Sequence, residues 1–100
     1  MTIVSVEPTQ ASGDVLRLLE QTVQAEIERL ELACEVAGQR LKPFEAKYKV
    51  SSEMFIAQMT AEDLDGGDDE YVAWAGEYKL LQHLLRQIAQ LKELRFVNPS

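Results

Sequence analysis

Apolar residues recur along two long stretches of this chain at helical spacing. In the first, Val23, Ile27, Leu30, Cys34, Ala37 and Leu41 step by four and three, with Leu16 leading the row. That spacing keeps them on one face of a helix. Glu20, Gln24, Glu28, Glu31, Glu35 and Gln39 take the other faces. The pattern predicts a helix over roughly 14–41, about 40 Å long. Ser12 or Asp14 is the expected cap, because either side-chain oxygen can accept from an orphan amide of the first turn. Pro43 lacks an amide and crowds the preceding turn, so the helix should end or kink there. A kinked continuation to about Lys47 is the expected form.

In the second stretch, Tyr71, Trp74, Tyr78, Leu81, Leu85 and Ile88 step by three and four. Leu80, Leu84 and Leu91 widen this stripe. The pattern predicts a helix over roughly 69–95, stopping before Asn98-Pro99, with Asp68 or Asp69 as its cap. A stripe this wide faces more than one neighbour. Between the long helices, Ser51 or Ser52 should cap a short helix running to about Thr60. Glu53 in its first turn suits the positive end of the helix dipole. Residues 62–70 then read as a loop, with Gly66-Gly67 flanked by aspartates. At the other end, Ile3, Val4 and Val6 alternate weakly before Pro8, which suggests an extended arm able to pair with the arm of another copy.

These elements define an all-α fold. The expectation is an antiparallel helical hairpin of two long helices with a short connecting helix. Two such chains would form a dimeric four-helix bundle. The expected organisation is an extended arm over 1–11, one helical domain over 12–96 and a flexible C-terminus over 97–100. One hundred residues make one domain by ordinary size. Such a domain has a modest core, which a second copy would enlarge.

Charge narrows the function classes. Acids outnumber bases 17 to 10, for a formal charge of −7. A nucleic-acid grip needs clustered Lys and Arg, and anionic lipid repels an acidic surface. Neither nucleic acid nor membrane is therefore an expected partner, whereas a basic protein is. No stretch approaches the apolar length of a membrane span, and the first residues carry no basic, apolar leader. Cys34 is the only cysteine, which excludes an internal disulfide and makes a reducing cytoplasm the expected setting.

Candidate chemistry is sparse. Asp63, Asp65, Asp68, Asp69 and Glu70 are hard oxygen donors of the kind Ca²⁺ or Mg²⁺ takes. Counted from Asp63, however, the helix–loop–helix calcium register fails. Its glycine position falls on Asp68, and Trp74 stands where a bidentate Glu belongs. A solvated capping loop or an acidic docking patch fits these residues better. His83 is the only histidine and has no nucleophile at helical spacing. Cys34 reads as a core residue, since Glu31 and Glu35 beside it oppose thiolate formation. Tyr71, Trp74 and Tyr78 could stack bases only with basic neighbours, and theirs are Asp69, Glu70 and Glu77. No glycine-rich phosphate loop is present, and no Glu-x-x-His pair of a di-metal bundle. No cofactor is expected.

The run Phe44-Glu45-Ala46-Lys47-Tyr48-Lys49-Val50-Ser51-Ser52-Glu53-Met54-Phe55, followed by Asp68-Asp69-Glu70-Tyr71 and Trp74-Ala75, resembles a group of small, largely uncharacterised prokaryotic all-α proteins. Their pattern is a long helix, Phe-Glu-x-Lys-Tyr, a Ser-capped short helix ending in Phe, an acidic loop and a Trp-bearing last helix. The resemblance covers roughly residues 15–95 and leaves out the N-terminal arm. Some members look like the antitoxin-side partner of a small toxin, which implies a protein-binding role.

The sequence thus points to a non-enzymatic protein–protein interaction module, antitoxin-like or a scaffold for a basic partner, and a homodimer. The expected interaction residues are Asp63, Asp65, Asp68, Asp69 and Glu70 of the loop with Tyr71, Trp74, Tyr78, Leu81, Leu85 and Ile88 of the last helix. The alternative is a divalent-metal-binding protein using the acidic loop at 62–70.

Overall fold

The computed structural model describes residues 2–5 and 12–97. Readings placed on Met1, 6–11 and 98–100 lie outside the described residues. Helix α1 spans Ser12–Tyr48 and runs through Pro43. Proline removes one hydrogen bond, but Phe44 and Tyr48 beyond it have a core to join, and that packing carries the helix on. Lys49 then turns the chain with φ 57°, a left-handed residue of the sort that closes helices. Helix α2 spans Ser52–Gln58, and the Ser51 hydroxyl accepts from Met54 N at its start. A single 3₁₀ turn covers Ala61–Asp63. Helix α3 spans Gly67–Lys92.

The two long helices pack on one another. Arg40 pairs with Glu77 at 3.7 Å and Lys92 with Glu31 at 3.8 Å. Residue numbers therefore rise along α3 as they fall along α1. The row expected to face inward does so, with Ile27, Leu30, Ala37 and Leu41 buried. Ile27 and Leu30 meet Leu84 and Ile88, and Val23, Cys34 and Leu91 pack around them. Nearer the α2 end a second cluster gathers Leu41, Phe55, Leu64, Trp74 and Ala75. The molecule is a rod of 63 × 20 × 19 Å.

Four sequence expectations change. The arm does not stand alone, because Thr2–Ser5 forms strand β1. The last helix stops at Lys92 rather than Arg95, and Leu94–Val97 forms strand β2. The two strands pair in parallel within the chain, Ile3 beside Arg95 and Val4 beside Phe96. Leu94, Phe96 and Val4 share one half-buried face, and that alternation of apolar and polar residues suits a strand better than another helical turn. Val97, expected in a loose tail, belongs to β2. Secondly, neither Asp68 nor Asp69 caps α3; Gly66 does, without a side-chain bond.

Thirdly, Leu85 is 47% exposed and Leu84 takes the inward position. Leu80 and Leu85 are the two rims of the α3 stripe, roughly 140° apart around the helix, and α1 covers only the middle. Fourthly, the exposed apolar surface is not confined to α3. Val15, Leu18, Leu19, Leu32 and Val36 of α1 are also exposed.

This placement separates two neighbouring leucines. Leu84→Asp buries an unpaired charge and should cost about 4 kcal/mol, enough to collapse the helical signal on mild heating. Leu85→Asp should stay within about 0.5 kcal/mol of wild type. Thermal melts followed by circular dichroism check both, and equal losses would contradict the inward register of α3.

Candidate functional site

The acidic end of the rod is built on one buried indole. Trp74 is completely buried and lies flat on Phe55, with ring centroids 3.8 Å apart and planes 1° apart. Phe44 stacks at 5.4 Å and Tyr48 at 5.7 Å from the indole. Tyr71 packs tilted against Phe55 at 4.9 Å. These rings come from α1, α2 and α3, so the stack fixes where the short helix sits.

Burying an indole N–H requires an acceptor. Trp74 Nε1 donates to Ser52 Oγ at 2.8 Å. Ser52 Oγ in turn donates to Glu45 Oε2 at 2.8 Å, and the Ser52 amide donates to the same oxygen at 2.9 Å. Glu45 thus puts its negative charge at the start of α2, where the helix dipole favours it. One carboxylate from α1 orients the α2 hydroxyl that accepts the hydrogen bond from the indole of α3.

A second network holds the loop. Glu70 accepts from Lys47 Nζ at 2.8 Å, from the Tyr48 hydroxyl and from the Gly66 amide at 3.3 Å. Tyr48 OH also accepts from the Asp65 amide at 2.8 Å. The hydrogen bond from Lys47 comes first, then that from Tyr48, in holding the Glu70 carboxyl below its ordinary value; the Gly66 amide adds to them. The two glycines are there for different reasons. A side-chain carbon at Gly66 would come within 2.8 Å of Glu70 Cβ, while Gly67 sits at φ +61° in open space. The first permits close approach, and the second supplies a backbone shape that other residues resist.

The expected interaction residues therefore divide. Asp63 is occupied as a cap, accepting from the Thr60 amide at 2.8 Å. Glu70 is occupied by Lys47 and Tyr48. Asp65, Asp68 and Asp69 are exposed, as is Glu62; the one cation near Asp65 among the described residues is Lys47, at 3.9 Å. Trp74 and Ile88 are spent in the chain's own core, and Tyr71, Tyr78 and Leu81 are half-buried against it. Of the aromatic and aliphatic set only Leu85 is offered outward. Sequence reasoning missed Glu45, Lys47 and Ser52. Their partners lie seven to 23 residues away, on different helices, and no periodicity links them.

Ser52 and Glu45 pair a hydroxyl with a carboxylate, but Ser52 is buried and its oxygen already accepts from the Trp74 indole. His83 is exposed on α3. Cys34 is half-buried against the Ile27–Leu30–Leu84–Ile88 cluster, and desolvation first, then Glu31, pushes its thiol above the ordinary range. Among the described residues no three His, Cys, Asp or Glu side chains gather as metal ligands. A shallow hollow of about 510 Å³ lies beside β2, lined by Lys92, Glu93, Leu94 and Arg95, and offers no such group either. Among the described residues no helix is long and apolar enough to cross a membrane. No family model, characterised protein or solved structure matches the chain, so its own residues carry the functional reading.

Two outcomes test these networks. Ser52→Ala leaves the indole N–H without its acceptor and should cost about 1–3 kcal/mol in denaturant unfolding; an unchanged midpoint would contradict the bond. For Glu70 the folded state lowers the carboxyl's pKa. Its stabilisation is full above the ordinary carboxylate pKa of about 4.3 and is lost as pH falls through the folded value. Melting temperature against pH should therefore fall on the acid side, and less steeply in Glu70→Gln.

Proposed function

We propose that this chain is a non-enzymatic protein-interaction module that self-associates and presents its acidic end to a basic protein partner. The observation that carries the reading is the contrast at that end. Glu62, Asp65, Asp68 and Asp69 stand exposed on a backbone held by Tyr48, Asp63 and Glu70. Held carboxylates lose less conformational freedom on binding than mobile ones. Between Ala61 and Glu70 there are six acids and no base, a field that steers a cationic partner. A small basic toxin, as the family resemblance implies, is one partner of that chemistry.

The homodimer reading is supported by the apolar residues left exposed among the described ones, Leu32, Val36, Leu80 and Leu85 among them. In a four-helix bundle Leu80 or Leu85 would turn toward the copy, and each buried leucine would contribute roughly 1.5–3 kcal/mol. The alternative reading, a divalent cation on the loop, has no ligand grouping among the described residues to favour it.

The test is a variant carrying Glu62→Gln, Asp65→Asn, Asp68→Asn and Asp69→Asn, which spares the two structural acids. Affinity capture with wild type and variant side by side should retain basic protein on the wild type and lose it on the variant. Equal capture by both would refute docking at the acidic end.

A further inference from the structure

We infer that a second copy of this chain lies antiparallel along the outward face of α1, so that four helices form one layer in the order α3-α1-α1-α3. The inference rests on the reading of the chain as self-associating, and it selects Leu32 and Val36 from the exposed apolar residues. Its starting point is a second sevenfold pattern in α1. Ala25, Leu32 and Gln39 repeat every seven residues, and so do Arg29, Val36 and Pro43. Interleaved, they step by four and three, the spacing of a seam that meets another helix. All six are exposed, Leu32 at 63% and Val36 at 43%. They lie about 160° round the helix from the buried row of Ile27, Leu30, Ala37 and Leu41, so α3 does not reach them. Residues 25–43 are all described.

Charge selects the occupant. Over 24–35 the chain carries Glu26, Glu28, Glu31 and Glu35 against Arg29, four acids to one base. Over 36–49 it carries Arg40, Lys42, Lys47 and Lys49 against Glu45, four bases to one acid. A uniformly basic partner would be drawn to one half of this face and repelled by the other. A copy laid antiparallel matches both halves. Some of these charges are also engaged within the chain: Glu26 with Arg29, Glu31 with Lys92, Arg40 with Glu77 and Lys47 with Glu70. Glu28, Glu35 and Lys42 are exposed and stand in no such pair among the described residues.

Setting Leu32 against Val36 of the copy fixes the register. By two-fold symmetry this apolar layer occurs twice, once on each side of the axis. Arg29 then meets Gln39 of the copy, a polar layer of the kind that specifies alignment in such seams, and Ala25 meets Pro43. On the flanks Glu28 faces Lys42 and Glu26 faces Arg40, each twice. Glu35 faces its own counterpart, one like pair against four opposite ones. Sliding the copy by one heptad would pair Glu35 with Lys42, but it would set Val36 against Gln39 and Leu32 against Pro43. A parallel copy would lay like halves together and bring the two acidic loops side by side. The antiparallel copy holds those loops about 40 Å apart, several Debye lengths. The α3 helix has no comparable seam, since Leu80 and Leu85 lie on opposite rims.

Sedimentation of the full chain across a concentration series tests the contact. Leu32→Lys should weaken self-association at least about a hundredfold, because symmetry removes two buried leucines, with the helical signal unchanged. Leu85→Asp should leave the dimer intact, and its loss there would overturn the layer order. A dimer that survives Leu32→Lys would overturn the α1 contact and leave self-association standing. A wild-type monomer at every concentration would end both. Charge reversal tests the direction. Glu28→Lys and Lys42→Glu should each weaken the dimer several-fold at low salt, and the double variant should restore it. A double variant no tighter than the single ones would overturn the antiparallel pairing. A spin label on Gln24→Cys in a Cys34→Ser background reads the register, with about 30–35 Å expected between copies. A separation below about 25 Å or above about 40 Å would overturn it.

Discussion

The hydrogen bond from the Trp74 indole to Ser52 is the contact on which the rest of this fold depends. A flat stack of Phe55, Trp74 and Phe44 supplies much of the apolar area at one end of the rod, but an indole enters such a stack only with its N–H satisfied. Ser52 satisfies it, and Glu45 holds the Ser52 hydroxyl in the donating orientation that leaves its oxygen open to the indole. Three helices meet at those three side chains. The 37-residue α1 runs past Pro43 and so brings Phe44, Glu45 and Tyr48 to this cluster, and the seven-residue α2 is too short to hold its shape without it.

From that anchored end the functional surface follows. The loop around the 3₁₀ turn has neither a covalent staple nor a metal site among the described residues, yet its backbone is tied at Thr60, Asp65 and Gly66 by Asp63, Tyr48 and Glu70. Two acids are spent on that order, and the remaining ones stand outward because of it. Structure and charge thus divide the labour within one short acidic run. The opposite end differs in character: Val15, Leu18 and Leu19 of α1 are exposed there, and β1 and β2 pair beyond the end of α3.

Much of the fold was legible in the sequence because helical periodicity is a local signal. Val23 to Leu41 and Tyr71 to Ile88 set both long helices, and Ser51 announced α2. What periodicity could not give was rotational detail at stripe edges: Leu84 and Leu85 differ by one position and end in opposite environments. The strands were missed because four residues are too few to show a period, and each has meaning only through a partner some ninety residues away. The candidate acids were found as a group but not sorted, since only the fold shows that Asp63 and Glu70 are engaged within the chain. Glu45 was invisible for a similar reason. It sits between ordinary helix residues, and its role exists only once α2 folds back onto it.

The most direct test of this account is hydrogen exchange at the Trp74 indole, followed by NMR against the global stability from denaturant unfolding. If the Trp74–Ser52–Glu45 contact anchors the molecule, the indole N–H exchanges only when the whole chain unfolds, and its exchange free energy equals the global value. Exchange through a local opening well below that value would contradict the account.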